Sequence, residues 1–281
     1  MTVAIDSLPV AAAAASIRLR DELRAILGDD LIALWLHGGT TFVDRSARGG
    51  DLDICAVIAR VAPGERVPRA WRRDPAARPS RITAAQAAVE KELGVHFDAT
   101  YVLAGEAAAD KPPSEAFRRS HRVQTWPVFR AHWLAGQYVL LHGRRPDELV
   151  VPPSARAMRV ALDREMEHLE RHVAEGDAQD PDEATYGILN SCRILHTLDT
   201  GSPVISKRGA GDWGLAHLSP RWQDVIRAAL RWYDGAPDTD GAPDTDDRAV
   251  LLLAMPAFVG MVRQQLPATK RRAASPPRWS P

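Results

Sequence analysis

The sequence predicts an α+β protein in which an N-terminal half mixing strands and helices is followed by an all-helical C-terminal half. Three observations carry this. Short apolar runs of strand length, "LIALWL", "LDICAVI" and "QYVLLHG", fall before residue 150. After "RRPDELVVPPS" the apolar residues return every three or four positions, the period of a helix face. The change of period coincides with Pro152 and Pro153, so domains are expected at 1–150 and 151–267, with a disordered tail at 268–281. The length of 281 residues also favours two domains over one.

In order along the chain, residues 14–28 read as a helix through Ile17, Leu23, Ile26 and Leu27, with Gly28 as its stop. Residues 31–36 are a buried strand, 37–50 a loop and 51–58 a second strand. The Arg- and Pro-rich segment 59–81 is expected to be irregular. A helix at 82–94 precedes a strand at 95–103, which alternates His96, Asp98, Thr100 and Val102 against Phe97, Ala99 and Tyr101. A helical region around 115–135 leads to a fourth strand at 137–143. Beyond the boundary, Met158 to Val173, Leu189 to Leu195, Val225 to Tyr233 and residues 248–266 each give a helical face, the last kinked or broken by Pro256. Between the last two, "DGAPDT" occurs twice in a polar turn sequence that is expected to form an acidic loop.

Composition narrows the function. Lys+Arg and Asp+Glu are equal at 36 each, and the absent basic excess argues against a nucleic-acid partner. Cys55 and Cys192 both sit inside apolar patterns, so a zinc site or disulfide is not expected and a cytoplasmic location is. "MTVAIDSLPVAAAAAS" lacks a positive start and carries Asp6, which does not fit a secretory leader, and no apolar run of membrane-spanning length is expected.

The chemistry concentrates in "LHGGTTFVDRSARGGDLDICAVI" (36–58). Asp51 and Asp53, two apart on a strand, project from one face. Like charges so close call for a cation, and Mg²⁺ takes oxygen ligands while leaving positions open to phosphate. Gly38 and Gly39 let backbone N–H groups approach phosphate oxygens, and Thr40 and Thr41 add hydroxyl donors. Asp98, on the next strand, completes a candidate three-carboxylate cluster suited to nucleotidyl transfer.

This segment resembles the signature of the polymerase-β-like nucleotidyltransferases, a Gly-Ser followed about a dozen residues later by Asp-x-Asp. "SCRILHTLDTGSPVISKRGAGDWGL" (191–215) and "ALRWYDG" (229–235) are similar to stretches of the aminoglycoside 3''-adenylyltransferases, the streptomycin and spectinomycin resistance enzymes. The resemblance runs from about residue 30 to 235. It implies a polymerase-β-like nucleotidyltransferase domain with a mixed sheet, then a helical domain that binds nucleotide and substrate. It implies Mg²⁺ held by Asp51 and Asp53, and Asp98 as general base where close family members have glutamate. It implies ATP as co-substrate, bound by Gly38, Gly39, Thr40, Arg193, Lys207 and Tyr233, with Thr40 matching the family's serine best by spacing. The acceptor implied is an aminoglycoside-like small molecule. The family's antibiotic-contacting tryptophan and acidic residues correspond to "EGDAQDPDEATY", which supplies Asp182 and Glu183 but no tryptophan. A monomer is expected. The alternatives are the same chemistry on a protein side chain or an RNA end, or a nucleotide-binding module of weak catalysis.

Other residues read as structural. Asp212 and Trp213 are expected as a cap and a core aromatic. His168 and His172, four apart, have metal-ligand spacing but no evident third ligand. Trp126 and Trp133 share a helical face and are expected in a core; if one of them lines the acceptor pocket, it is Trp126.

Overall fold

The computed structural model describes residues 2–46, 50–59, 81–113, 125–175, 180–235 and 245–272, with the backbone alone at 245 and 267–272. Most of the expected irregular segment 59–81, the centre of the "DGAPDT" duplication and the end of the tail lie outside these residues. The chain divides into two units: Met1–Phe42 with Gly50–Ala157, and Val43–Gly49 with Met158–Pro281.

The first unit is built on a mixed four-stranded sheet in the order β3-β2-β1-β4. Its strands are β1 (Leu31–His37), β2 (Leu52–Ile58), β3 (Phe97–Leu103) and β4 (Val139–Gly143). β1 runs antiparallel to β2 and β4, whereas β2 and β3 are parallel. A parallel pair needs a crossover, and α2 (Arg81–Leu93) lies in the connection between them. α1 (Val10–Leu27) begins four residues earlier than expected, because the alanines at 11–15 are strong helix formers and Pro9 is accommodated at the cap.

Strand alternation divides the core in two. Leu34, Leu36, Ile54, Ala56, Phe97 and Tyr101 pack with Leu19 and Leu23 of α1 and Val89 of α2. Ala33, Trp35, Cys55, Val57 and Val102 face the other way, against α3 (Thr125–Leu134) through Trp126 and Trp133. α3 is anchored by Arg130, whose side chain is fully buried; it donates to the carbonyls of Ala109 and Val151 and pairs with Asp110.

The second unit is all helix: most of α4 (Ala155–Glu175), then α5 (Pro181–Thr200), α6 (Lys207–His217), α7 (Gln223–Asp234) and α8 (Thr245–Arg272). α5 is its axis, with Ile188, Leu189, Cys192 and Leu195 buried among Ile226, Met255 and Phe258. Asp180 caps α5 through the Asp182 N–H, and Gly201 closes it at φ 76, a left-handed value that glycine adopts without steric cost.

Three expectations are corrected here. α8 runs unbroken through Pro256, whose ring lies on the exposed side while Met255, Phe258 and Val259 hold the turns on either side in the core. Asp246–Leu266 is also long and apolar enough to count as a candidate membrane span, at a mean hydropathy of 1.5; its Leu251, Met255, Phe258 and Val262 belong to the helical core. Asp212 is not a cap: it is an exposed residue within α6, whose cap is Ser206. The glycines of "KRGAGDWGLAH" blur the helical period, yet Gly211 and Gly214 are where the side chains of Leu230 and Cys192 come closest.

Candidate active site

β1 ends at His37, and the chain turns at once through a 3₁₀ turn, Gly38–Thr41. The Thr41 hydroxyl is buried and donates to the Gly38 carbonyl at 2.8 Å, while Thr40 stays partly exposed and Gly39 exposed. Gly38 has φ 74, and a Cβ built there would lie 1.8 Å from Asp53 Oδ2. The turn therefore folds over the Asp53 carboxylate at a distance only glycine permits.

The strand register sets the carboxylates. Asp53 lies opposite Asp98 across the parallel β2–β3 pair and opposite His37 across β1–β2. Neighbouring strands are about 4.8 Å apart, so Asp53 and Asp98 stand side by side on the sheet face that carries the tryptophan cluster. Both are partly buried, whereas Asp51 is exposed and lies one residue before the ladder begins at Leu52. Among the described residues no group of three or more His, Cys, Asp or Glu side chains is gathered to hold a metal. Among the described residues the expected three-carboxylate cluster is thus not preassembled. Mg²⁺ commonly takes one or two carboxylates and completes its shell with water and substrate phosphates. Exposed Asp51, with Asp53 beside a glycine turn open to solvent at Gly39, fits that mode.

Behind the carboxylates the sheet is floored by aromatic rings. His37 is buried, with ring centroids 4.7 Å from Phe129 and 5.2 Å from Trp133. Trp126 is 0% exposed, edge-on to Trp133 at 5.5 Å. It has no face to offer an acceptor, so the sequence-based expectation of Trp126 as a substrate contact is replaced by a core role.

The helical unit carries a recess of about 190 Å³ lined by Ser46, Asp182, Thr185, Tyr186, Lys207, Trp232 and Tyr233. Lys207 is the first residue of α6, and its Nζ lies 5.0 Å from the Tyr186 ring centroid and 6.0 Å from that of Tyr233. Burial raises the pKa of both phenols; at Tyr186 the neighbouring Glu165, which accepts the hydroxyl at 3.2 Å, raises it further. The Arg193 charge acts on both phenols in the opposite sense, and its guanidinium donates to Asn190 at 3.3 Å. Asp182 accepts from the Trp232 indole at 2.7 Å. Glu183, next in sequence, turns away to His172 on α4, at 3.2 Å. His168 and His172 pack edge to face at 4.2 Å.

Of the expected residues, Gly38, Gly39, Thr40, Asp51, Asp53 and Asp98 fall around one end of the sheet. Asp182, Lys207 and Tyr233 share the recess, with Arg193 near it and Glu183 outside. Sequence reasoning missed Ser46, Thr185, Tyr186 and Trp232. Tyr186 lies seven residues before Arg193, two turns along the same helix face, and Trp232 precedes Tyr233; helical spacing from the residues already chosen would have found the first.

Residues 148–258 match the family model of the aminoglycoside adenylyltransferase C-terminal domain. No curated protein matches the sequence. Among solved structures, the chain is similar to the spectinomycin adenyltransferase AAD(9) from Enterococcus faecialis, solved with ATP and spectinomycin. The TM-score is 0.62 at 15% identity, covering 89% of this chain and 97% of that one. The mixed sheet followed by helices is the fold this chain shares with that nucleotidyltransferase structure, and its helical half carries the match to an adenylyltransferase domain. Residues 148–258 are thus similar to the C-terminal domain of the aminoglycoside adenylyltransferases.

Proposed function

We propose that the protein transfers AMP from Mg-ATP to a hydroxyl of an aminoglycoside-like small molecule. The observation that carries this reading is the pairing of Asp53 with Asp98 beside the Gly38 turn, in a chain whose helical half matches an adenylyltransferase domain. Asp51 and Asp53 would hold Mg²⁺, which neutralises the triphosphate when bound. Asp98 takes the proton from the acceptor hydroxyl. The hydroxyl oxygen bonds to the α-phosphorus, the bond from that phosphorus to the α,β-bridging oxygen breaks, and pyrophosphate leaves. Gly38, Gly39 and Thr40 offer backbone and hydroxyl donors to phosphates, and Lys207, Arg193 and Tyr233 are the candidate nucleotide contacts on the helical unit.

Asp182 is the acidic residue that meets an amine of the acceptor, since Glu183 is engaged by His172. The neighbour solved with spectinomycin makes amine-bearing aminocyclitols the first acceptors to try. The reaction needs ATP, which the cytoplasm supplies, and the proposed enzyme acts there as a monomer. The test is pyrophosphate release over an aminoglycoside and aminocyclitol panel, with and without Mg²⁺, for the wild type and Asp53→Asn. Release that requires both acceptor and Mg²⁺, and is lost in Asp53→Asn, is expected. No release with any acceptor, or an unaffected variant, would refute the reading.

A further inference from the structure

We propose that Trp232 is a positioning residue that fixes the Asp182 carboxylate and so sets selectivity for an acceptor bearing an ammonium or guanidinium group. This rests on the transfer reading above. Asp182 is the second residue of α5, and its backbone N–H is already held by the Asp180 cap at 2.9 Å. Trp232 comes from α7, 50 residues away, and its indole Nε1 donates to Asp182 Oδ1 at 2.7 Å. Backbone and side chain are therefore both anchored, and the carboxylate does not have to be ordered when a ligand arrives.

The chemistry of the donor matters. An indole N–H is a neutral donor: it orients a carboxylate and adds no charge. The walls around Asp182 are the rings of Tyr186, Trp232 and Tyr233, and aromatic faces attract cations. The Lys207 ammonium, 5.0 Å from one ring centroid and 6.0 Å from another, lines the same recess, so the Asp182 carboxylate is what can favour a cationic acceptor there.

Two substitutions separate bond from charge. Trp232→Phe keeps a ring and removes the donor; Asp182→Asn keeps an oxygen for the indole and removes the charge. Both, and the double variant, are measured for the KM of spectinomycin and of ATP, for kcat, and for spectinomycin Kd by calorimetry with a non-hydrolysable ATP analogue. Trp232→Phe is expected to raise acceptor KM and Kd about tenfold, with ATP KM and kcat nearly unchanged. The double variant is expected to be no worse than Asp182→Asn. Trp232→His, which retains a ring N–H, should recover part of the loss, as a purely structural role for the indole would not allow. Effects that multiply in the double variant, or an ATP KM that moves with the acceptor's, would overturn the proposal. A wild type that releases no pyrophosphate refutes the transfer reading alone, because calorimetry still decides this one: a Kd unchanged by Trp232→Phe, or no spectinomycin binding at all, overturns it.

Discussion

Substituting Gly38 and Gly39 in turn separates the geometry of this turn from its composition. In Gly38→Ala the new Cβ meets Asp53 Oδ2 at 1.8 Å, against 3.4–4 Å for ordinary contact. The carboxylate must retreat by roughly 1.5 Å, and a displacement of about 1 Å at a reacting group can cost about 100-fold in rate. The backbone adds its own cost, since φ 74 is left-handed and an L side chain there loses about 1–2 kcal/mol. For a protein of this size that corresponds to a drop of about 2–8 °C in Tm. Gly39 has no atom within 4 Å of its would-be Cβ and no left-handed φ. Gly39→Ala should therefore keep its Tm or gain slightly, by up to about 1 kcal/mol, through a stiffer unfolded chain. Scanning calorimetry and steady-state pyrophosphate release measure both effects. A Gly38→Ala protein with wild-type Tm and turnover, or a Gly39→Ala protein equally impaired, would refute the argument that the close approach to Asp53 is what requires glycine.

Three further outcomes are expected. Asp98→Ala should bind ATP by calorimetry yet lose about 100- to 10,000-fold in turnover, while Asp98→Glu tests whether the acceptor lies within reach of the longer side chain; unchanged turnover in Asp98→Ala would remove the base assignment. Lys207→Ala should weaken ATP binding by roughly 10- to 100-fold and AMP binding far less, whereas equal losses would tie Lys207 to the fold instead of the outer phosphates. Burial alone would raise the Asp110 pKa, but hydrogen bonds from Arg130 and Ser154 and the Arg130 charge outweigh it and hold the pKa below its usual value. A depressed carboxylate stabilises the fold above its unfolded pKa and loses that contribution as pH falls through the folded value. Asp110→Asn should cost roughly 1–2 kcal/mol at pH 7, less than a fully buried pair because 35% of the Asp110 side chain is exposed, and the gap from wild type should close in acid. A gap that persists at pH 2 in urea titrations would contradict this.

The strands were legible because each is a short apolar run bounded by turn residues, and alternation put Asp51 with Asp53 on one face of their strand and Asp98 with Thr100 and Val102 on one face of theirs. The register that sets Asp53 against Asp98 was not, since it depends on which strands pair and how far each slides. α6 was missed because three glycines interrupt its apolar face, although two of them mark where neighbouring side chains press closest. Pro256 does not break α8 for a related reason: packing on both sides of it outweighs one lost hydrogen bond. Asp182 and Glu183 were indistinguishable as adjacent acids. On a helix they point about 100° apart, which sends one to Trp232 and the other to His172.

The segment after the glycine turn belongs to the helical unit, with consequences for how the chain can be cut and how it is made. Ser206, the cap of α6, donates to Asp44 at 2.5 Å, and Ser46 donates to the Tyr233 carbonyl at 2.5 Å. These bonds join residues 162 and 187 positions apart. A truncated gene starting at Met158 would encode the helices without the acceptor for Ser206 or the donor for the Tyr233 carbonyl. On the ribosome, the residues that supply both emerge long before their partners, so the helical unit can finish folding only after the far end of the chain has been synthesised. The unit is discontinuous in sequence, and to obtain it separately would require fusing the short segment 43–49 to the helices through a new linker.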